Sequence, residues 1–97
     1  MKKLTFLLVF ISIVGYAKTP ITDANFINAI NTCLNTNPVD GMCSDSEYGV
    51  MPDWDVSIVT SMKFAFSNNN DFNGDVSSWD VSSVTNMGYM FNSASSF

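Results

Sequence analysis

The sequence predicts an α/β repeat fold: a short solenoid whose units are each a strand plus a short helix, set behind an N-terminal capping helix. Two observations predict it. The phrase WDVSIVTSM, from Trp54 to Met62, returns as WDVSSVTNM from Trp79 to Met87, 25 positions later. Within each copy the apolar spacing also switches from strand-like to helix-like. A period in the twenties marks a repeat protein, in which each unit buries its apolar face only against its neighbours.

The first element precedes the fold. Lys2 and Lys3 are followed by the apolar run LTFLLVFISIV and by Gly15-Tyr16-Ala17. That is the layout of a secretory signal peptide over residues 1–17, cleaved after Ala17. The run falls short of the roughly 20 apolar residues that span a bilayer. The expected location is secreted or cell-surface, with no transmembrane span after cleavage.

The remaining chain, Lys18 to Phe97, keeps two lysines against nine acidic residues. Such a charge repels phosphate backbones and anionic lipid, which argues against nucleic-acid and membrane-surface roles. One small domain of this length often needs a covalent staple. Cys33 and Cys43 are the only cysteines, and an even count in an exported chain reads as a disulfide.

Residues 18–48 form the next element, a helical cap. Phe26, Ile27, Ile30, Cys33 and Leu34 recur at helical spacing, so a helix is expected from Thr22 to Leu34. Thr22 or Asp23 would cap its start, and Pro38 follows its end. The disulfide would tie it to the loop leading into the repeats.

Residues 49–97 carry two repeats, the second cut short. Trp54 and Val56, and likewise Trp79 and Val81, alternate with polar residues as a half-buried strand does. Val59, Met62 and Phe66, and then Val84, Met87 and Phe91, follow at i, i+3 and i+7, one face of a short helix. Phe72 and Phe97 close each unit. These twelve residues are the expected repeat core. No capping segment follows Phe97, so the chain reads as an N-terminal fragment of a longer repeat protein. The alternative is end-to-end self-association through the uncapped last coil.

The stretch WDVSSVTNMGYMFNSASSF, preceded by FNGDVSS, closely resembles the repeat of BspA-like leucine-rich-repeat surface proteins, a repeat also found in mycoplasma lipoproteins. The resemblance covers Trp54 to Phe97, and the segment before it resembles the lead-in of bacterial members. It implies a right-handed solenoid related to leucine-rich repeats, with a role in adhesion or protein binding. It brings no catalytic residues with it. Ala65, where the second copy has Met90, departs from the pattern.

Functionally, the expectation is a non-enzymatic protein-binding or adhesion module without cofactors. Stacked units would align Asp55 with Asp80 and Ser57 with Ser82, a candidate face for a protein or glycan ligand. The same carboxylates could instead serve as turn acceptors. One alternative is a calcium-stabilised surface module, since DFNGD (Asp71 to Asp75) sets oxygen donors around a glycine, although the distant glutamate of an EF-hand is missing. A secreted hydrolase is the other, since paired carboxylates can cleave glycosides. With no histidine in the chain, a serine nucleophile would lack its usual base.

Overall fold

An apolar stripe organises the first ordered element. The structure, a computed structural model, describes residues 19–97, so the expected signal peptide lies outside the described residues. Helix α1 runs Phe26–Thr36 and turns Phe26, Ala29, Ile30, Cys33 and Leu34 inward. It starts later than the expected Thr22, for a local reason. The Thr22 hydroxyl accepts from the Ala24 amide, and the Asn25 side chain accepts from the Thr22 amide. Those bonds hold Thr22–Asn25 in a turn, and side chains that capture nearby amides in this way compete with helix. Asn25 takes the N-cap position without a side-chain cap bond. Asp23 faces elsewhere, toward Thr60.

The disulfide is present. Cys33, near the end of α1, is bonded to Cys43 across a Cα–Cα distance of 5.3 Å. Between them the chain turns sharply at Gly41, whose φ of 69° lies in the left-handed region. A side chain there would also meet Met51, with atoms 3.1 Å from an added Cβ. A short 3-10 turn, Met51–Asp53, then leads into the first copy of the phrase.

The expected α/β repeat is not what forms. The described residues make a small globule with one helix, α1, and no strand or sheet among them. A single isolated parallel bridge, Ser61 to Asn86, is the nearest approach to sheet. Trp54–Val56 and Trp79–Val81 are not strands, and neither copy contains a helix. The expectation of a right-handed solenoid related to leucine-rich repeats is therefore corrected.

The hydrogen bonds give the reason. From Met62 to Phe72 the chain is a run of tight turns. The amides of Ala65, Ser67, Asn69 and Phe72 each donate to the carbonyl three residues earlier. The second copy repeats this with Met90, Asn92, Ala94 and Phe97. The alternate amides of the first copy, at Met62, Phe64, Phe66 and Asn68, donate instead across to Asn86, Gly88, Met90 and Asn92 over 2.8–3.0 Å. A helix would need every amide for itself. Here half of them bind the neighbouring copy. Positive φ at Phe64, Asn68, Tyr89 and Ser93 breaks the helical run at matching places in both copies. An aromatic residue at positive φ is unusual, and its cost is offset by the surrounding turns.

Side chains follow the same register. Trp54 stacks on Trp79 with ring centroids 6.1 Å apart, Phe66 on Phe91 at 5.4 Å, Phe72 on Phe97 at 5.7 Å and Phe64 on Tyr89 at 5.3 Å. Each such pair contributes about 0.5–1.5 kcal/mol beyond its buried area. Both indole N–H groups are satisfied, Trp54 by the Gly49 carbonyl and Trp79 by the Met51 carbonyl.

One apolar cluster joins α1, the disulfide and the first copy. Of the expected repeat core, Trp54, Val56, Val59, Met62, Phe66, Phe72 and Trp79 are buried. Val84 packs partly buried against them. Val81, Met87, Phe91 and Phe97 are exposed, which corrects their place in the expected core. They have the first copy on one side and no layer of the described residues on the other. Ala65, the departure from the family pattern, is buried.

Candidate binding site

An Asp-Val-Ser triplet makes its own turn, because a carboxylate oxygen can accept from the amide two residues on. Asp55 accepts from the Ser57 amide at 3.0 Å, and Asp80 from the Ser82 amide at 3.0 Å. Both carboxylates are exposed, and they are close enough for the Asp55 charge to act on Asp80. Asp55 and Asp80 therefore sit in two matching turns rather than on stacked strands, each turn fixing one oxygen of its carboxylate. The alternative expected from sequence, turn acceptor, is the role both groups fill here.

A third turn of the same kind lies at Asp75, outside the expected ligand face. Asp75 accepts from the Ser77 amide at 2.9 Å and from the Ser77 hydroxyl at 2.6 Å. Its signal was available in the triplet DVS, which occurs at 55, 75 and 80. This turn also bears on the calcium alternative. One Asp75 oxygen is already taken twice, and among the described residues no three acidic or cysteine side chains gather to hold a metal.

These carboxyls are held below their ordinary value of 3.8. For Asp55, Asp75 and Asp80 the first cause is hydrogen bonding by the side chain of Ser57, Ser77 and Ser82 respectively, with the backbone amide second. The neighbouring Asp55 charge pushes Asp80 slightly back up. Each therefore stays anionic to a lower pH than an ordinary aspartate.

Beside the first turn lies a cleft of about 330 Å³ lined by Thr19, Pro20, Ile21, Tyr48, Asp53, Asp55, Ser57 and Ile58. Its walls combine apolar side chains, among them Ile58 at 61% exposed, with two carboxylates. Two of the residues expected on the ligand face, Asp55 and Ser57, line it. Asp80 and Ser82 do not. Thr19, Ile21 and Tyr48 reach the cleft from elsewhere in the chain and share no motif with Asp53 and Asp55, so no local pattern marks them. For a glycosidase, one carboxyl must be raised to act as acid. Asp55 is shifted the opposite way.

Asp23 is the remaining engaged carboxylate. The Thr60 amide donates to it at 2.7 Å, with the Thr60 hydroxyl and the Ser61 amide beside it. In the second copy, the Thr85 amide and hydroxyl both donate to the Thr60 carbonyl. The Asp23 side chain thus does for the first copy what a backbone carbonyl does for the second. Its carboxyl is lowered, first by the Thr60 hydroxyl and then by the Thr60 amide.

A family model described as Mycoplasma protein of unknown function, DUF285, matches residues 43–97, more than half of the chain. No curated protein matches. No solved structure matches.

Proposed function

From the premise that the chain belongs to this DUF285 family of unknown function, we propose that it is an exported, non-enzymatic binding module that takes basic side chains of a protein partner in its acidic cleft. The observation that carries this reading is the composition of the cleft. Asp53 and Asp55 supply negative charge, and Ile21, Tyr48 and Ile58 supply apolar wall. Lysine and arginine have the matching form, an aliphatic stem with a charged head. The turn at Asp55 holds one carboxylate oxygen on the Ser57 amide and leaves the other for a ligand cation. Charge-assisted bonds of that type are the stronger ones. Asp80, which feels the Asp55 charge, extends the anionic face and would steer a basic partner toward it.

Export rests on residues 1–17 and on the disulfide, which persists in oxidising compartments. The BspA-like resemblance supports display at a cell surface and a role in adhesion. The mass of the exported protein tests this half: it should match Lys18 to Phe97 at its N-terminal end, with Cys33 and Cys43 oxidised.

Short peptides test the cleft. Addition of short peptides bearing a free lysine or arginine side chain, capped only at their N-terminal α-amine, should shift the amide resonances of Asp53, Asp55, Ser57 and Ile58. Citrulline and norleucine analogues should not. The double variant Asp53→Asn with Asp55→Asn keeps an oxygen for the Ser57 amide and removes the charge, so it should lose the response while remaining folded. Shifts spread evenly over the acidic surface would refute a specific site. A response to neutral oligosaccharides instead would assign the cleft to glycan.

A further inference from the structure

Two steps of the chain set a carboxylate or amide side chain directly before a glycine: Asp40–Gly41 and Asn73–Gly74. Such steps share a chemistry. The glycine nitrogen can attack the side-chain carbonyl carbon of the residue before it and close a five-membered succinimide. Glycine allows the attack because no Cβ shields its nitrogen. The structure treats the two steps differently. The Gly41 amide donates to the Asn37 carbonyl at 3.0 Å, and the Asp40 carboxylate accepts from the Met42 amide at 3.0 Å. Both reacting groups of that step are held. At the other step, neither the Gly74 amide nor the Asn73 side chain makes a hydrogen bond among the described residues, and Asn73 is exposed. We infer that Asn73–Gly74 is a self-modification site. There the folded chain converts Asn73 to aspartate and isoaspartate, which loosens the tie between the disulfide loop and the first copy.

The reaction needs only water. The Gly74 nitrogen gives up its proton and bonds to Asn73 Cγ, the Cγ–Nδ2 bond breaks, and ammonia leaves with that proton. Water then opens the ring. Attack at the side-chain carbonyl leaves an ordinary aspartate. Attack at the main-chain carbonyl leaves isoaspartate, whose main chain runs through the side-chain methylene. Nothing is oxidised or reduced. The fold also requires this labile pair. A Cβ added at Gly74 would lie 2.6 Å from the Phe72 ring and 2.7 Å from the Asp40 carbonyl oxygen. The second contact is with backbone, so a larger residue would force the two loops apart.

The position of the site sets its consequence. The Asn73 amide donates to the Val39 carbonyl at 2.7 Å, and Val39 lies in the segment closed by the Cys33–Cys43 bond. Just before it, Phe72 is fully buried and stacks on Phe66 at 4.3 Å. Just after it, Gly74 sits against the Asp40 carbonyl. Isoaspartate adds an extra carbon to the main chain between these two fixed points, so the Val39 bond gives way. The aspartate product keeps the chain length and adds a negative charge between Asp71 and Asp75, where like charges repel. Neither Asn73 nor Gly74 lines the acidic cleft, so this inference and the binding reading can fail separately.

The test is peptide-mapping mass spectrometry of the full chain with its disulfide intact. One sample is aged folded at neutral pH, and a parallel one is aged unfolded in urea. In the folded sample Asn73 should be the first asparagine lost, its mass changing by the difference between –NH2 and –OH. Fragmentation then separates isoaspartate from aspartate. Asp40 should stay an ordinary aspartate in the folded sample and isomerise in urea. In the isoaspartate fraction, hydrogen exchange at the residue 73 amide should quicken by about tenfold or more. The variant Asn73→Gln has no five-membered route, so it should age unchanged and keep slow exchange there. Asn73 left intact in the folded sample would overturn the site, whatever happens in urea. Asp40 isomerising as fast as Asn73 in the folded sample would mean that the hydrogen bonds do not choose between the steps. Unchanged exchange in the isoaspartate fraction would overturn the loosening.

Discussion

Met62 and Met87 hold the same place in two copies of one phrase. The first is fully buried, and the second is 47% exposed. The same contrast holds between Phe66 and Phe91, and between Phe72 and Phe97. The backbones match: the turns close at corresponding residues, and positive φ recurs at corresponding positions. What differs is the surroundings. The first copy lies against α1 and the disulfide segment on one side and the second copy on the other. Among the described residues, the second copy has a layer on one side only. In a stack of layers, identical residues contribute according to how many faces are covered, so the phrase specifies a shape while its neighbours decide its stabilisation.

The largest expected effect separates the two copies directly. Phe66→Ala should cost about 3–5 kcal/mol, the range for emptying a fully buried aromatic site. Phe91→Ala should cost less than half of that, because the ring is already partly in water and the site can relax. Urea denaturation of both variants measures the pair. Equal losses would mean that the second copy is as well packed as the first, and the contrast would fail.

Next in size is the disulfide. Replacing Cys33 and Cys43 together by serine should cost about 2–3 kcal/mol in the chain-entropy view. The loss should fall first on the first copy, whose covering segment the bond secures. Hydrogen exchange should accelerate more at Met62 and Phe66 than at Met90. Uniform acceleration would mean that the cap and both copies open as one unit.

The smallest effect concerns acid. The carboxyls of Asp23, Asp55, Asp75 and Asp80 are all held below their ordinary value of 3.8. Each contributes stability that is present above that value and is lost as the pH falls through its lower folded value. The urea midpoint should therefore be flat near neutrality and fall below about pH 4. In Asp23→Asn the acid slope should be shallower, and the exchange that quickens should be that of the Thr60 and Ser61 amides. An unchanged slope would mean that Asp23 contributes nothing to holding the first copy.

Particular residues show how far the sequence could be read. The 25-residue register was plain from the two tryptophans onward, and the pairings Trp54 with Trp79, Phe66 with Phe91 and Phe72 with Phe97 all occur as stacks. The Cys33–Cys43 bond followed from the count of two, and α1 from its apolar stripe. The helix expected over Val59–Phe66 failed because apolar spacing of three and four also suits consecutive tight turns. Periodicity reports which side chains face inward, not where the amides are bonded. The cleft was legible only in part. Asp55 stood out by its repeat, but Ile21 and Tyr48 reach the cleft through the fold alone.

By itself, the sequence determined what repeats, which cysteines pair, which apolar stripe α1 turns inward and which residues can close an Asp-Val-Ser turn. Those properties depend on neighbours along the chain or on a count. Tertiary structure alone decided that alternate amides cross to the adjacent copy, that Asp23 stands in for a missing carbonyl, and that Met87, Phe91 and Phe97 remain exposed. Each of those depends on what lies one layer away, and a hydrogen bond or a buried ring acquires its partner only when the layers meet.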